Sequence, residues 1–138
     1  MTRSAPSGAN LFSIIATLKT KEVEFFAAVQ RYMNETELGS SPKIVANDPV
    51  FRFQLMFRQI EALTYHLLFD DGVGGRLDFY ERNPVTNDVR HIMTAKFDRL
   101  GNFRTKMDTL PMSVGEPNDI ARFMNELTNA LLTPQPNS

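Results

Sequence analysis

Residues 48–69, "DPVFRFQLMFRQIEALTYHLLF", hold the largest block of apolar side chains in the chain. Asp48 offers an N-cap and Pro49 suits the first turn of a helix. Read at about 100° per residue, Phe53, Met56, Phe57, Ile60, Leu63, Leu67 and Leu68 make one apolar stripe. Phe51, Leu55, Ala62 and Phe69 make a second, smaller one. The reading is an α-helix over 49–69 that is apolar on two sides. Such a helix is either sandwiched between layers or shared with another molecule.

Upstream, residues 10–35 carry a longer stripe of Leu11, Ile14, Ile15, Leu18, Phe25, Phe26, Val29, Tyr32 and Met33, interrupted only by Glu22. Ser13, Thr17, Lys21, Glu24 and Arg31 fall on the opposite side. One continuous helix is expected. Gly39 and Pro42 stop it and open the connection to Asp48.

Downstream, "DDGVGG" (70–75) reads as a turn or hinge, and the periodicity then changes from helical to alternating. Three strands are expected, at about 76–82, 89–98 and 103–110. Leu77 and Phe79 oppose Arg76, Asp78, Tyr80 and Arg82. Met93, Ala95 and Phe97 oppose Arg90, Thr94, Lys96 and Asp98. Phe103 and Met107 oppose Arg104, Lys106 and Asp108. Alternation of period two means one buried and one wet face. A three-residue loop at 100–102 places Phe97 opposite Thr105 and Asp98 opposite Arg104, which keeps the faces clean and pairs opposite charges. Ile120, Phe123, Met124, Leu127, Ala130 and Leu131 then form the stripe of a last helix, with Asp119 near its N-terminus.

The expected architecture is α+β in two layers: a three-stranded antiparallel meander packed on helices, in the order α-α-β-β-β-α. One domain over 10–132 is expected between loose tails at 1–9 and 133–138, both rich in Ser, Pro, Gly or Asn. The order resembles small secretion chaperones and some sheet-based nucleic-acid binders in architecture alone.

Composition narrows the chemistry. The chain has 138 residues and a net charge of −1, so no global positive charge draws it to nucleic acid or anionic lipid. It has no cysteine, which excludes disulfides, thiolate metal sites and a cysteine nucleophile. No apolar run approaches the roughly 20 residues a membrane helix needs, and the expected location is cytoplasmic. There are two histidines. His66 stands four residues before Asp70 in the expected second helix. His91, on the inner side of its strand, could meet Glu81. Either pair could mimic a base with its orienting carboxylate, but nothing marks a nucleophile. The glycines of 72–75 follow a helix and open a strand, the reverse of a phosphate loop. No metal-ligand spacing appears. No cofactor or metal is expected, and an enzyme is the weaker expectation.

Two binding readings remain. The first is a homodimeric interaction module of the adaptor, chaperone or inhibitor type, assembling through helix 49–69 with Phe51, Leu55 and Phe69 at the interface. The second is a single-stranded DNA- or RNA-binding face built from Arg76, Tyr80, Arg82, Arg90, Lys96, Arg104 and Lys106. Against the second stand the interleaved Asp78, Asp98 and Asp108, and a single aromatic where stacking platforms use several.

Overall fold

The computed structural model describes residues 8–36 (side chains from Leu11), 50–69, 72–105 and 110–134. Residues 1–7 and 135–138 of the expected tails (1–9 and 133–138), the connection 37–49 with Gly39, Pro42 and the Asp48-Pro49 cap, Asp70-Asp71, Lys106, Met107 and Asp108 lie outside the described residues. α1 already begins at Gly8, inside the expected N-terminal tail. The elements are α1 (Gly8–Thr36), β1 (Val50–Leu55), β2 (Arg58–Phe69), β3 (Gly72–Arg82), β4 (Val89–Phe97), β5 (Asn102–Arg104), β6 (Met112–Ser113) and α2 (Pro117–Leu132). The six strands form one antiparallel meander in chain order. Both helices pack on its inner face, so the fold is α+β.

The expected second helix is a β-hairpin, and the sheet has six strands rather than three. Phe51, Phe53 and Leu55 are buried while Arg52 and Gln54 are exposed, an alternation of period two. Phe51 faces Ala62 and Phe53 faces Ile60 across the pair. Met56 and Phe57 form the two-residue turn with φ of 52° and 66°. Both sit in the left-handed region that such a turn demands. Phe57, which a helix would bury, is 99% exposed. Aromatic and β-sheet-favouring side chains can obey both periodicities over a short span, and pairing with β3 along the full length of β2 decides between them.

α1 is one continuous helix, as its stripe implies. Leu18, Phe25, Phe26, Val29 and Met33 are buried. Phe25 is the hub of the core: its ring lies 4.9 Å from Phe123, 5.1 Å from Phe97 and 5.2 Å from Phe103, all edge-on. Phe26 stacks on Phe51 at 3.9 Å. α2 buries Ile120, Phe123, Met124, Leu127 and Leu131, with Pro117 in its first turn and the Asp119 carboxylate accepting the Ser113 N–H.

The glycines of 72–75 are not a hinge but the first residues of β3, paired with His66–Phe69. A Cβ on Gly74 would stand 2.8 Å from the Phe97 carbonyl oxygen and 3.0 Å from the Phe69 ring. Glycine is what lets the aromatic lie flat on the sheet. The β4–β5 register also differs from expectation: Phe97 faces Phe103 and Lys96 faces Arg104. Asp98 does not pair with Arg104. Its carboxylate instead accepts the N–H groups of Leu100 and Asn102 and closes the turn.

Candidate nucleic-acid interface

A β-bulge shapes the outer face of the sheet. Phe79 faces Met93, but Tyr80 faces His91, which leaves Ile92 as the extra residue of β4. An inserted residue swaps every side chain beyond it to the other face. Sequence alternation therefore places Arg90 outside and His91 inside, and the structure reverses both. Arg90 points inward, where it donates to Glu81 at 2.9 Å and to the carbonyls of Leu131 and Thr133 at the end of α2. It is a structural cation and not part of the outer face. The expected His91–Glu81 pair does not form.

Arg76, Tyr80, Arg82, Lys96 and Arg104 do share the outer face. Arg76, Lys96 and Arg104 line up as a row across β3, β4 and β5, with Arg76 opposite Lys96 and Lys96 opposite Arg104. Arg82 lies away from this row and is held by both oxygens of Glu61, at 2.7 and 3.1 Å. That pairing keeps the Glu61 carboxyl below the usual carboxylate range. Arg52 joins the same carboxylate at 3.6 Å.

The hairpin adds what the sequence reading lacked. Because residues 58–69 are a strand, Tyr65 and Phe69 belong to the outer face. The Arg76 guanidinium lies 4.7 Å from the centre of the Tyr65 ring. The Lys96 ammonium lies 5.2 Å from that of Phe69. Both are cation–π contacts. Of the residues expected to meet a partner, Phe69 is on this face, whereas Phe51 and Leu55 lie in the core. A groove of about 860 Å³ near the end of the row is lined both by outer-face residues such as Phe69, Lys96 and Arg104 and by inner-face ones such as Ile14 and Phe97.

Between the row and His91 sits Asp78. It is 6% exposed on a face turned to solvent. Thr94 Oγ1 donates to its Oδ1 at 2.6 Å, and Arg76 Nη2 lies 3.2 Å from its Oδ2. His91 Nε2 lies 2.8 Å from Thr94 Oγ1 and 3.8 Å from Asp78 Oδ1. The His91 and Tyr80 rings pack edge-on at 5.4 Å. Burial, and then the Asp78 charge, push the Tyr80 hydroxyl above its ordinary value. The Arg76 Nε is buried with no hydrogen-bond partner among the described residues.

His66, expected on a helix beside Asp70, is on β2 and faces α1. Its Nε2 lies 3.1 and 3.2 Å from the two oxygens of Glu22. Burial raises the Glu22 carboxyl above its ordinary range, with His66 pulling the other way. Glu22 breaks the apolar stripe of α1, and that break was its signal in the sequence. The pair pins helix to sheet, with Gly75 leaving room for the carboxylate. Among the described residues there is no cluster of three His, Asp or Glu that could hold a metal, and no helix is long and apolar enough to cross a membrane.

No protein-family model, curated protein or solved structure matches the chain.

Proposed function

We propose that the protein binds single-stranded nucleic acid on the outer face of its sheet. The observation that carries this is the row Arg76–Lys96–Arg104, flanked by Tyr65 and Phe69. Cations that track a phosphate backbone beside aromatic faces that accept bases are the parts such binding uses. The outer face of the described sheet holds five cations, Arg52, Arg76, Arg82, Lys96 and Arg104, against the carboxylates of Glu61, Asp78 and, at the turn after β4, Asp98. The local charge is positive although the chain as a whole carries −1. These three carboxylates are already engaged: Glu61 by Arg82, Asp78 by Thr94 and Arg76, Asp98 by its own turn; Asp108 lies outside the described residues.

A fluorescent single-stranded oligonucleotide tests this. Three phosphate contacts imply a log–log salt slope near −2, so affinity should fall about 20-fold between about 50 and 200 mM salt. Replacing Lys96 or Arg104 by Ala should weaken binding and flatten that slope, while Arg31→Ala, on the exposed side of α1, should change neither. No binding, or binding indifferent to salt and to Lys96, would refute the proposal.

A second reading, a homo-oligomeric interaction module, is favoured by exposed Phe12 and Leu68. Phe26 meets Phe51 and Glu22 meets His66, so α1 runs with its N-terminal half toward the Leu68 end of β2. Light scattering on the free protein decides this: a dimer dispersed by Leu68→Glu supports it, and a monomer excludes it.

A further inference from the structure

The polar cluster beside the cation row sets a buried, paired carboxylate against a buried donor that has no partner among the described residues. A carboxylate is buried on a solvent-facing sheet surface, and a buried Arg76 Nε has no partner among the described residues. The unsatisfied donor costs the fold, and such costs gather at working sites. On the strength of the binding reading above, we propose that this face cleaves single-stranded RNA, with Arg76 holding the scissile phosphate and His91 moving the proton.

The hydrogen bonds fix the state of the imidazole. Thr94 gives its only hydrogen to Asp78 at 2.6 Å. Its oxygen can therefore only accept from His91 Nε2, at 2.8 Å. Nε2 carries a hydrogen, and in the neutral ring the lone pair is on Nδ1. With Nε2 held by Thr94, Nδ1 is the ring nitrogen left for a ligand, on a side chain that is 50% exposed. Thr94 and Asp78 are positioning residues that hold the tautomer and the ring. Arg76 and His91 stand on opposite sides of the same carboxylate, at 3.2 and 3.8 Å from its two oxygens. A phosphodiester drawn to the guanidinium places its neighbouring ribose toward the imidazole.

The step balances without a further reagent. His91 Nδ1 takes the proton of the ribose 2′-hydroxyl. The 2′-oxygen forms a bond to the adjacent phosphorus, and the bond from phosphorus to the 5′-oxygen of the next nucleotide breaks. The imidazolium returns the proton to that 5′-oxygen. Arg76 stabilises the negative charge that gathers on the phosphoryl oxygens. The products are a 2′,3′-cyclic phosphate and a 5′-hydroxyl. DNA and 2′-O-methyl RNA lack the nucleophile, so they bind and stay intact.

The experiment incubates the purified full chain with a labelled single-stranded RNA, the DNA of the same sequence and a 2′-O-methyl strand, in EDTA. Gel analysis and mass spectrometry read the ends. Expected are a 2′,3′-cyclic phosphate from RNA only and a rate loss of about 100-fold or more in His91→Ala. Thr94→Val should lower kcat with KM unchanged, and Thr94→Ser should restore it. Equal cleavage by His91→Ala, cleavage of DNA, or intact RNA that is nonetheless bound would overturn this inference and leave the binding reading standing. Absence of binding to any strand would overturn both.

Discussion

The turn between β1 and β2 gives a test whose sign depends on the fold. Met56 and Phe57 hold φ of 52° and 66°, a conformation costing an L-residue roughly 1–2 kcal/mol. Phe57→Gly removes that cost, loses almost no burial because the side chain is 99% exposed, and adds about 0.5–1 kcal/mol of unfolded-state entropy. The net expectation is a gain of about 0.5–1 kcal/mol, or about 2–4 °C in Tm for a domain of this size. Leu55→Ala should do the opposite. Leu55 is fully buried on the inner face of β1, so the change should cost about 2–5 kcal/mol and lower Tm by roughly 10 °C or more. A helix over 49–69 inverts both expectations. There Phe57 belongs to the main buried stripe, and glycine costs about 1 kcal/mol in propensity alone. Leu55 belongs to the spare stripe, whose loss a monomer would barely register. Calorimetry or circular-dichroism melts on both variants decide the matter. A Tm lowered by Phe57→Gly together with an indifferent Leu55→Ala would refute the hairpin.

Other perturbations follow from the packing. Gly74→Ala pushes a Cβ to 2.8 Å from the Phe97 carbonyl oxygen, a backbone atom that cannot swing away; a loss of about 1–3 kcal/mol is expected in urea unfolding. Arg90→Ala leaves the Leu131 and Thr133 carbonyls without their cation and Glu81 with one partner fewer. Hydrogen exchange should show faster opening confined to the last turn of α2, with about 1–3 kcal/mol lost overall. Stability should respond to acid in two opposed ways. The hydrogen bond from Arg58 holds the Glu81 carboxyl below its ordinary value, so its contribution is present above about pH 4 and is lost as pH falls through the lower folded value. Glu22 is raised by burial, so its contribution is present below its unfolded value and lost as pH rises. Urea midpoints between pH 3 and 7 should show Glu81→Gln losing its deficit on acidification, and Glu22→Gln gaining on the wild type as pH rises above about 4.

Much of the architecture was legible because it depends on local periodicity. The stripes of α1 and α2 and the alternation in β3, and in β4 beyond its bulge, each repeat one period long enough to exclude the other. Glu22 stood out in the sequence as the one break in the stripe of α1, and its partner His66 is visible only in the fold. The β1–β2 hairpin was not legible. Its apolar residues are dense enough to satisfy a helical wheel, and its turn carries Met-Phe rather than the Asn-Gly that would have marked it. The missing aromatics of the outer face, Tyr65 and Phe69, were hidden by the same misreading.

The sequence by itself determined which segments are amphipathic and, outside 49–69, with which period, because that information is carried by neighbours three, four or two positions apart. Only the tertiary structure decided the rest. Whether 49–69 coils or extends depends on the hydrogen bonds offered by β3. Whether Arg90 or His91 faces outward depends on one bulged residue, Ile92, whose insertion reverses a face without changing the composition. The pairing of Asp78 with Arg76, Thr94 and His91 depends on register between β3 and β4. These are long-range contacts, and no local pattern encodes which strand a residue will meet.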